Sequence, residues 1–225
     1  MAIRPVFTMT TQPPFFERKD IEFNYCSGFS LSQKQKSIAN LHEAFRNKFP
    51  EYNILEVSSK SNTPIGKSLS AFNLKMVLKN GDRVSIESAF QSSKVFENGK
   101  QYVDLLFKKP FEAKKDERLR TSGNVEGFIF QDESFPTEPK TLFYNWLYIN
   151  ALIQNPRLGE ELTEYSAFTD IEFNPKKSIN CQAISTAIYV SLVKCNKLND
   201  SIQNVGSFKK TVFGNQMIFE QLTLF

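Results

Sequence analysis

Between Phe72 and Ile86 the chain alternates in a way that only one local structure satisfies. Phe72, Leu74, Met76 and Leu78 are separated by smaller or polar residues, Asn80-Gly81 follows, and Val84 and Ile86 resume the pattern. Period-two alternation puts the apolar side chains on one face of an extended chain, and Asn-Gly accepts the left-handed backbone of a tight reversal, so the segment is an antiparallel β-hairpin. A fold built around it must bury one side of that hairpin.

Helical patterns supply the cover. Ser32, with Gln35 three residues later, has the form of a capping box, and Ile38, Leu41, Phe45 and Phe49 recur at helical spacing up to Pro50. In the second half, Thr137 is the expected cap of a helix bearing Leu142, Phe143, Trp146, Ile149 and Ile153, and the phase of Trp146 places it in the core. A shorter helix restarts after Asn155-Pro156, and Ser178 is expected to open a last one with Ala183, Ala187, Ile188 and Ser191 on its packing side. Residues 1–29, interrupted by Pro5, Pro13 and Pro14, read as an extended arm. Asn53–Ser59 and Phe168–Phe173 read as short strands. The fold class is α+β, mainly helical with a small antiparallel sheet. We expect one domain over residues 1–196 and a tail over 197–225 without steady period.

The chain has 225 residues, 40% of them hydrophobic, with a net charge of +4, which suits a globular domain with a real core. No apolar run reaches membrane-spanning length, and the opening MAIRPVFTMTTQPPFFERKD lacks the basic-then-apolar pattern of a secretion signal, so a cytoplasmic protein without membrane contact is expected. Cys26, Cys181 and Cys195 are widely spaced and read as reduced thiols. His42 is the only histidine. Multi-histidine metal sites and most histidine-assisted triads are thereby excluded within one chain, and neither metal nor cofactor is expected. His42 itself, beside an apolar stripe, reads as structural or exposed. Any catalysis must come from carboxylates and lysines.

SIESAFQSSKVF, Ser85 to Phe96, leaves the hairpin and enters a helix. On an ideal helix Glu87, Gln91 and Lys94 stand at about 0°, 40° and −20°, with Glu87 and Lys94 roughly 10 Å apart along the axis, suited to gripping something between them. A solvated helix face would have the same composition. Lys108, Lys109, Lys114, Lys115, Arg118 and Arg120 form a basic run diluted by Glu112, Asp116 and Glu117. Lys176 and Lys177 precede the expected helix start at Ser178, where free backbone N–H groups would favour a phosphate. No P-loop or dinucleotide-binding glycine string occurs.

LSAF followed across the hairpin by SIESAFQSSK resembles the NADAR (YbiA-like) superfamily, and NPRLGEEL, FTDIEF and KKSIN follow in the family's order. IRPVF, EVSSKS, AKKDERLR, EPKTLFYNWLYINAL and FTDIEFNPKKSINCQA are similar to the NADAR antitoxins encoded beside DarT-type DNA ADP-ribosyltransferase toxins. The resemblance implies an enzyme, an N-glycosidase removing ADP-ribose from guanine in DNA, with Glu87, Lys94 and Asp170 as catalytic residues and ADP-ribose as product. It places Ser70, Phe72 and Gln91 at the substrate, with Asn73 a candidate replacement for an amide the family has where this chain has Ala71. Lys176, Lys177, Ser178 and Asn180 are the candidate diphosphate holders. Glu172 shares the face of Asp170 and could replace it. The family's later Trp-Gly string is absent.

Two routes fit those residues. Glu87 or Asp170 could protonate the leaving nitrogen or orient water while Lys94 holds a hydroxyl or phosphate, or Lys94 could capture C1 as an imine with Glu87 moving protons. The substrate guanine would be single-stranded or flipped out, with Phe96, Tyr102 or an N-terminal Phe stacked on it and the basic run on its phosphates. A DarT-type toxin is the expected counterpart. Cleavage of a small N-ribosyl metabolite of the riboflavin pathway, or non-catalytic binding of ADP-ribose or toxin, are the alternatives.

Overall fold

The computed structural model describes residues 1–214. In chain order its elements are β1 (Ala2–Met9), β2 (Phe16–Phe23), α1 (Leu31–Lys48), β3 (Ile54–Glu56), α2 (Pro64–Ser68), β4 (Lys75–Val77), β5 (Arg83–Ser85), α3 (Ile86–Ser92), β6 (Lys94–Phe96), α4 (Pro110–Lys115), α5 (Arg118–Thr121), β7 (Val125–Phe130), β8 (Glu133–Pro136), α6 (Leu142–Ile153), α7 (Pro156–Leu162), β9 (Ala167–Thr169), α8 (Gln182–Lys194), α9 (Leu198–Ser201) and α10 (Val205–Phe213). The class is α+β, and the chain divides into two compact units: Ala71–Asn155, and the segments before and after it.

The outer segments build a four-stranded sheet in the order β2-β1-β9-β3, antiparallel except for the β3/β9 pair. Here the N-terminal arm is a correction to the sequence reading. It is a hairpin in which Ala2 pairs with Phe23 and Met9 with Phe16. Val6 and Phe7 are both buried, and since neighbouring residues of a strand face opposite ways, β1 is covered on both sides. Val6, Ile21 and Phe23 share a core with Ile38, Leu41 and Phe45 of α1, while α8 packs against β1 and β9. Helix α1 is capped by Ser30, whose side chain accepts the Gln33 N–H, rather than by Ser32. Residues 198–201 and 205–213 of the expected tail are helical, and Asn204 caps the second of these helices. Residues 215–225 lie outside the described part.

Ala71–Asn155 contains the expected hairpin, β4 with β5, Met76 opposite Val84. It also contains an antiparallel sheet β6-β7-β8 that the sequence pattern does not announce. Behind it lies an aromatic cluster in which Phe143 of α6 stacks on Phe128 with centroids 4.8 Å apart and meets Phe135 at 4.7 Å. Helix α6 starts after Thr141, not Thr137, and Trp146 on it is half-buried whereas Leu142, Phe143 and Ile149 are buried. The fully core position expected for Trp146 is thus corrected.

Ser191, buried on α8, fixes the β1–β2 connection: its hydroxyl donates to the Phe15 carbonyl at 2.7 Å and accepts the Thr10 N–H at 3.1 Å. Ser191→Ala leaves both backbone groups without that partner, and should lower unfolding free energy by about 1–3 kcal/mol in a denaturant titration; an unchanged midpoint would mean that water replaces the hydroxyl.

Candidate active site

Helix α3 begins at a fixed point. The Ser85 hydroxyl accepts the Ser88 N–H at 3.0 Å as the N-cap, while the N–H groups of Ile86 and Glu87 donate to the carbonyls of Leu74 (3.1 Å) and Ala71 (2.9 Å). Two of the N–H groups that a helix start leaves over are thus satisfied by the strand lead-in, and Glu87 is set in the first turn. Glu87 is 6% exposed. Its Oε1 accepts from Gln91 Nε2 at 2.8 Å, one turn on, and its Oε2 lies 3.7 Å from Lys114 Nζ. Gln91 is 7% exposed, and its Oε1 has no donor among the described residues, an acceptor already desolvated.

Lys94 is not on the helix. Ser92 and Ser93 both bond the Ala89 carbonyl with their hydroxyls, α3 stops, and Lys94 opens β6 opposite Phe128. The single helical stripe expected for Glu87, Gln91 and Lys94 is therefore corrected: two come from one helix turn and the third from the strand after it. Lys94 remains electrostatically coupled to Glu87. Its Nζ stands 5.1 Å from the centre of the Phe90 ring, which itself contacts Phe128, Phe143 and Tyr144. Burial in these apolar surroundings pulls the Lys94 ammonium below the ordinary lysine range; Glu87 opposes the shift, and Lys114 adds to it.

Lys114, expected on a basic track, is found here. Helix α4 packs against α3, and Lys114 Nζ, besides reaching Glu87, lies 5.2 Å from the centre of the half-buried Phe72 ring. Residues 27 positions apart meet only through that packing, so no local signal marks Lys114. Of the other basic residues, Arg118 is bound by Asp104 (2.7 Å) and Asp116 (2.8 Å), and Lys108 by Asp116 (3.0 Å). Arg118 and Lys108 hold the Asp116 carboxyl well below its usual range.

All the remaining candidates but Asn73 belong to the other unit. Ser70 is buried; Asn73, within Ala71–Asn155, is exposed. Asp170 is half-buried and directly follows β9, which ends at Thr169, so Phe168–Phe173 is a strand only at its beginning. Asp170 Oδ1 accepts the Glu172 N–H at 3.0 Å in a turn, and Glu172 pairs with Lys34 at 2.9 Å, which removes the shared strand face invoked for the two acids. Helix α8 begins at Gln182 after Cys181, four residues later than expected. Lys176, Lys177 and Ser178 are exposed on turns built on Asn174, and the Ser178 hydroxyl donates to the Asn180 carbonyl. The phosphate site expected at a helix start by Ser178 therefore loses that geometric basis, and the buried Asn180 Oδ1, with no donor among the described residues, suits an N–H or hydroxyl rather than a phosphate.

The backbone around Asp170 is clamped by a buried chain of polar groups. His42 Nε2 and Thr169 Oγ1 are 2.8 Å apart, Thr169 Oγ1 donates to Glu56 Oε2 at 2.6 Å, and Glu56 Oε1 accepts the Ile171 N–H at 2.8 Å. With Glu56 ionised, the Thr169 hydroxyl spends its proton on the carboxylate and His42 donates through Nε2. Burial is the main cause holding its pKa down at about 3, with Arg46 contributing, and burial pushes the Glu56 carboxyl up. Glu56, 2% exposed, touches both neighbours of Asp170 and was not singled out by any motif chemistry. Among the described residues no group of three or more His, Cys, Asp or Glu side chains could hold a metal ion, and no helix is long and apolar enough to cross a membrane.

The chain matches the family described as DarT1-associated NADAR antitoxin over residues 2–221. It belongs to that family. A DarT toxin is accordingly the counterpart of this NADAR antitoxin. A comparison with curated proteins finds no match.

The buried imidazole gives a signed pH dependence. The unfolded chain takes up a proton below about 6.5 that folded His42 refuses down to about 3, so this group's contribution to stability is complete above about 6.5 and is lost as pH falls. The loss approaches about 1.4 kcal/mol per pH unit. Glu56 acts in the opposite sense, its raised pKa costing stability as pH rises above its ordinary range. In His42→Gln, which keeps a donor for Thr169, the stability gap to the parent should therefore narrow between pH 6.5 and 4.5 in urea titrations; a constant gap would mean that folded His42 is protonated.

Proposed function

We propose that this antitoxin is an N-glycosidase that removes ADP-ribose from guanine in DNA, with Lys94 as the nucleophile. The reading is carried by one arrangement: a lysine whose proton affinity is lowered by burial, electrostatically coupled to a carboxylate that Gln91 and Lys114 hold in place. An amine attacks only when unprotonated, and a buried ammonium flanked by a second one gives up its proton most readily. Family membership supplies the setting, an antitoxin paired with a DarT toxin.

The exocyclic nitrogen of guanine is joined to C1 of the ribose. Opening of the sugar ring makes that bond an imine and leaves the ring oxygen as a hydroxyl. Neutral Lys94 adds to C1, the guanine amine departs with a proton delivered by Glu87, and a lysine imine remains. Water adds to the imine, Lys94 leaves as the amine, and free ADP-ribose and unmodified guanine result. Glu87, with one oxygen held by Gln91, moves the protons in both halves. The unpartnered Gln91 Oε1 is an acceptor for a sugar hydroxyl, and Phe72, its ring beside Lys114, is a wall against the ribose or base. Asp170, in the other unit, is offered as a third catalytic group by the resemblance alone, and Glu56 bonds the Thr169 hydroxyl before it and the Ile171 N–H after it. Lys176 and Lys177 remain the cations offered to the diphosphate, Ser70 and Asn73 complete the proposed contacts, and the DNA must present its guanine unpaired.

Incubation of the full chain with ADP-ribosylated single-stranded DNA should return unmodified guanine and free ADP-ribose. Glu87→Gln and Lys94→Ala should each lower kcat by about 10²–10⁴-fold, or roughly 3–5 kcal/mol of barrier, with unchanged thermal unfolding. Borohydride should trap a covalent adduct in the parent and not in Lys94→Ala. Turnover of small ribosyl-amines alone would replace the DNA substrate, protection without turnover would make the chain a binder, and full activity in both variants would remove the proposed site.

A further inference from the structure

Phe107 and Phe111 are 65% and 57% exposed, and among the described residues only one other phenylalanine, Phe29, is comparably open. They occupy the end of the 3-10 turn Val103–Phe107 and the first turn of α4. Lys115 Nζ lies 4.1 Å from the centre of the Phe111 ring, and Lys109 is exposed between the two rings in sequence. Neither lysine forms a salt bridge among the described residues, whereas Lys108 and Arg118 of the same run are occupied by Asp104 and Asp116. The next residue to Lys115 on α4, Lys114, reaches the Glu87 carboxylate. By contrast Phe96 is buried and Tyr102 is half-buried with its hydroxyl bonded to Ser122, so these two of the aromatics named from sequence as stacking partners are committed elsewhere; of the N-terminal phenylalanines only Phe29 is open.

An open ring with an ammonium group over it, and a second open ring and an exposed lysine within four residues of it along the chain, match the two repeating parts of a single strand, flat bases and phosphates. We propose that Phe107 and Phe111, with Lys109 and Lys115, form a landing surface for the single-stranded DNA flanking the modified guanine. The inference rests on the glycosidase reading for its substrate and deepens it by naming what recognises the strand rather than the ADP-ribose. Charge complementarity favours this occupant. Of the exposed charges from Lys109 to Glu117, the lysines Lys109, Lys114 and Lys115 outnumber the glutamates Glu112 and Glu117, and a symmetric contact with a second copy would set these lysines against their own equivalents.

The test compares two substrates of equal chemistry, ADP-ribosylated guanosine and an ADP-ribosylated single-stranded oligonucleotide. In Phe107→Ala/Phe111→Ala the oligonucleotide kcat/KM should fall about tenfold or more through KM, with the guanosine substrate turned over as by the parent. In Lys109→Gln/Lys115→Gln the salt dependence of oligonucleotide binding should flatten by about 0.7 in log–log slope for each phosphate that is no longer neutralised. Parent-like values on both substrates would overturn the proposal, as would equal losses on both, which would assign the rings to the fold or the catalytic site. Should the parent turn over neither substrate, the glycosidase reading fails by itself, and anisotropy with unmodified single-stranded DNA decides the surface: weaker binding by both double variants supports it, equal binding overturns it. A dimer in the parent that becomes a monomer in the ring variant, seen by sedimentation, would make the surface a contact between copies and overturn it too.

Discussion

The N–H of Glu87 bonded to the carbonyl of Ala71 determines where α3 starts, and much of the proposed chemistry follows from that start. A helix beginning one residue later would rotate its side chains by about 100° and turn Glu87 away from Lys114 on α4, with Gln91, one turn on, turning with it. The hairpin β4–β5 brings Ala71 and Leu74 back beside Ser85–Glu87, so the strand pairing and the helix start are one device. Ser85 serves both, as the last residue of β5 and the cap of α3. Ala71 contributes through its backbone carbonyl, so the contact does not depend on its side chain.

The end of the same helix matters as much. Seven residues place Glu87 and Gln91 one turn apart and then stop, where the Ser93 carbonyl accepts the Ile129 N–H at 2.8 Å and the chain passes into β6. Had the helix continued, Lys94 would stand roughly two turns from Glu87 along one axis. As a strand residue paired with Phe128, it lies instead over Phe90 and its aromatic neighbours. That apolar floor lowers its proton affinity, and a lysine on a solvated helix face would lack the effect.

These two boundaries mark how far the sequence could be read. The hairpin was legible because Asn80-Gly81 and the alternation around it are local signals, and so were the cores of α1, α6 and α8, where apolar residues recur at helical spacing. Glu87 and Gln91 were paired correctly since one turn of helix separates them. Lys94 reads as helical because Gln-Ser-Ser-Lys is compatible with a helix, and the pairing with β7 that makes it a strand residue involves Phe128 and Ile129, far along the chain. The β1–β2 hairpin was missed because prolines dominate the reading of residues 1–29 while the pairing partner of each strand is visible only in three dimensions. Lys114 and Glu56 were missed for that reason as well: each acquires its meaning from a residue at least 27 positions away, Glu87 for one and Thr169 for the other.

A net charge of +4 says nothing of which cations are already engaged by acids. Acidic residues in the 104–118 stretch do not dilute the positive surface evenly. Asp104 and Asp116 are used up on Arg118 and Lys108, fastening the stretch to itself. The ammonium groups left over are that of Lys109 and those of α4, where one turns toward the Glu87 carboxylate and its neighbour stays over an open ring. Internal ion pairing thus separates cations that hold the loop from cations that can meet a ligand, and it concentrates the second kind next to the candidate catalytic pair. Exposed ion pairs contribute little to stability, so the effect of the acids lies in this sorting rather than in strengthening the fold.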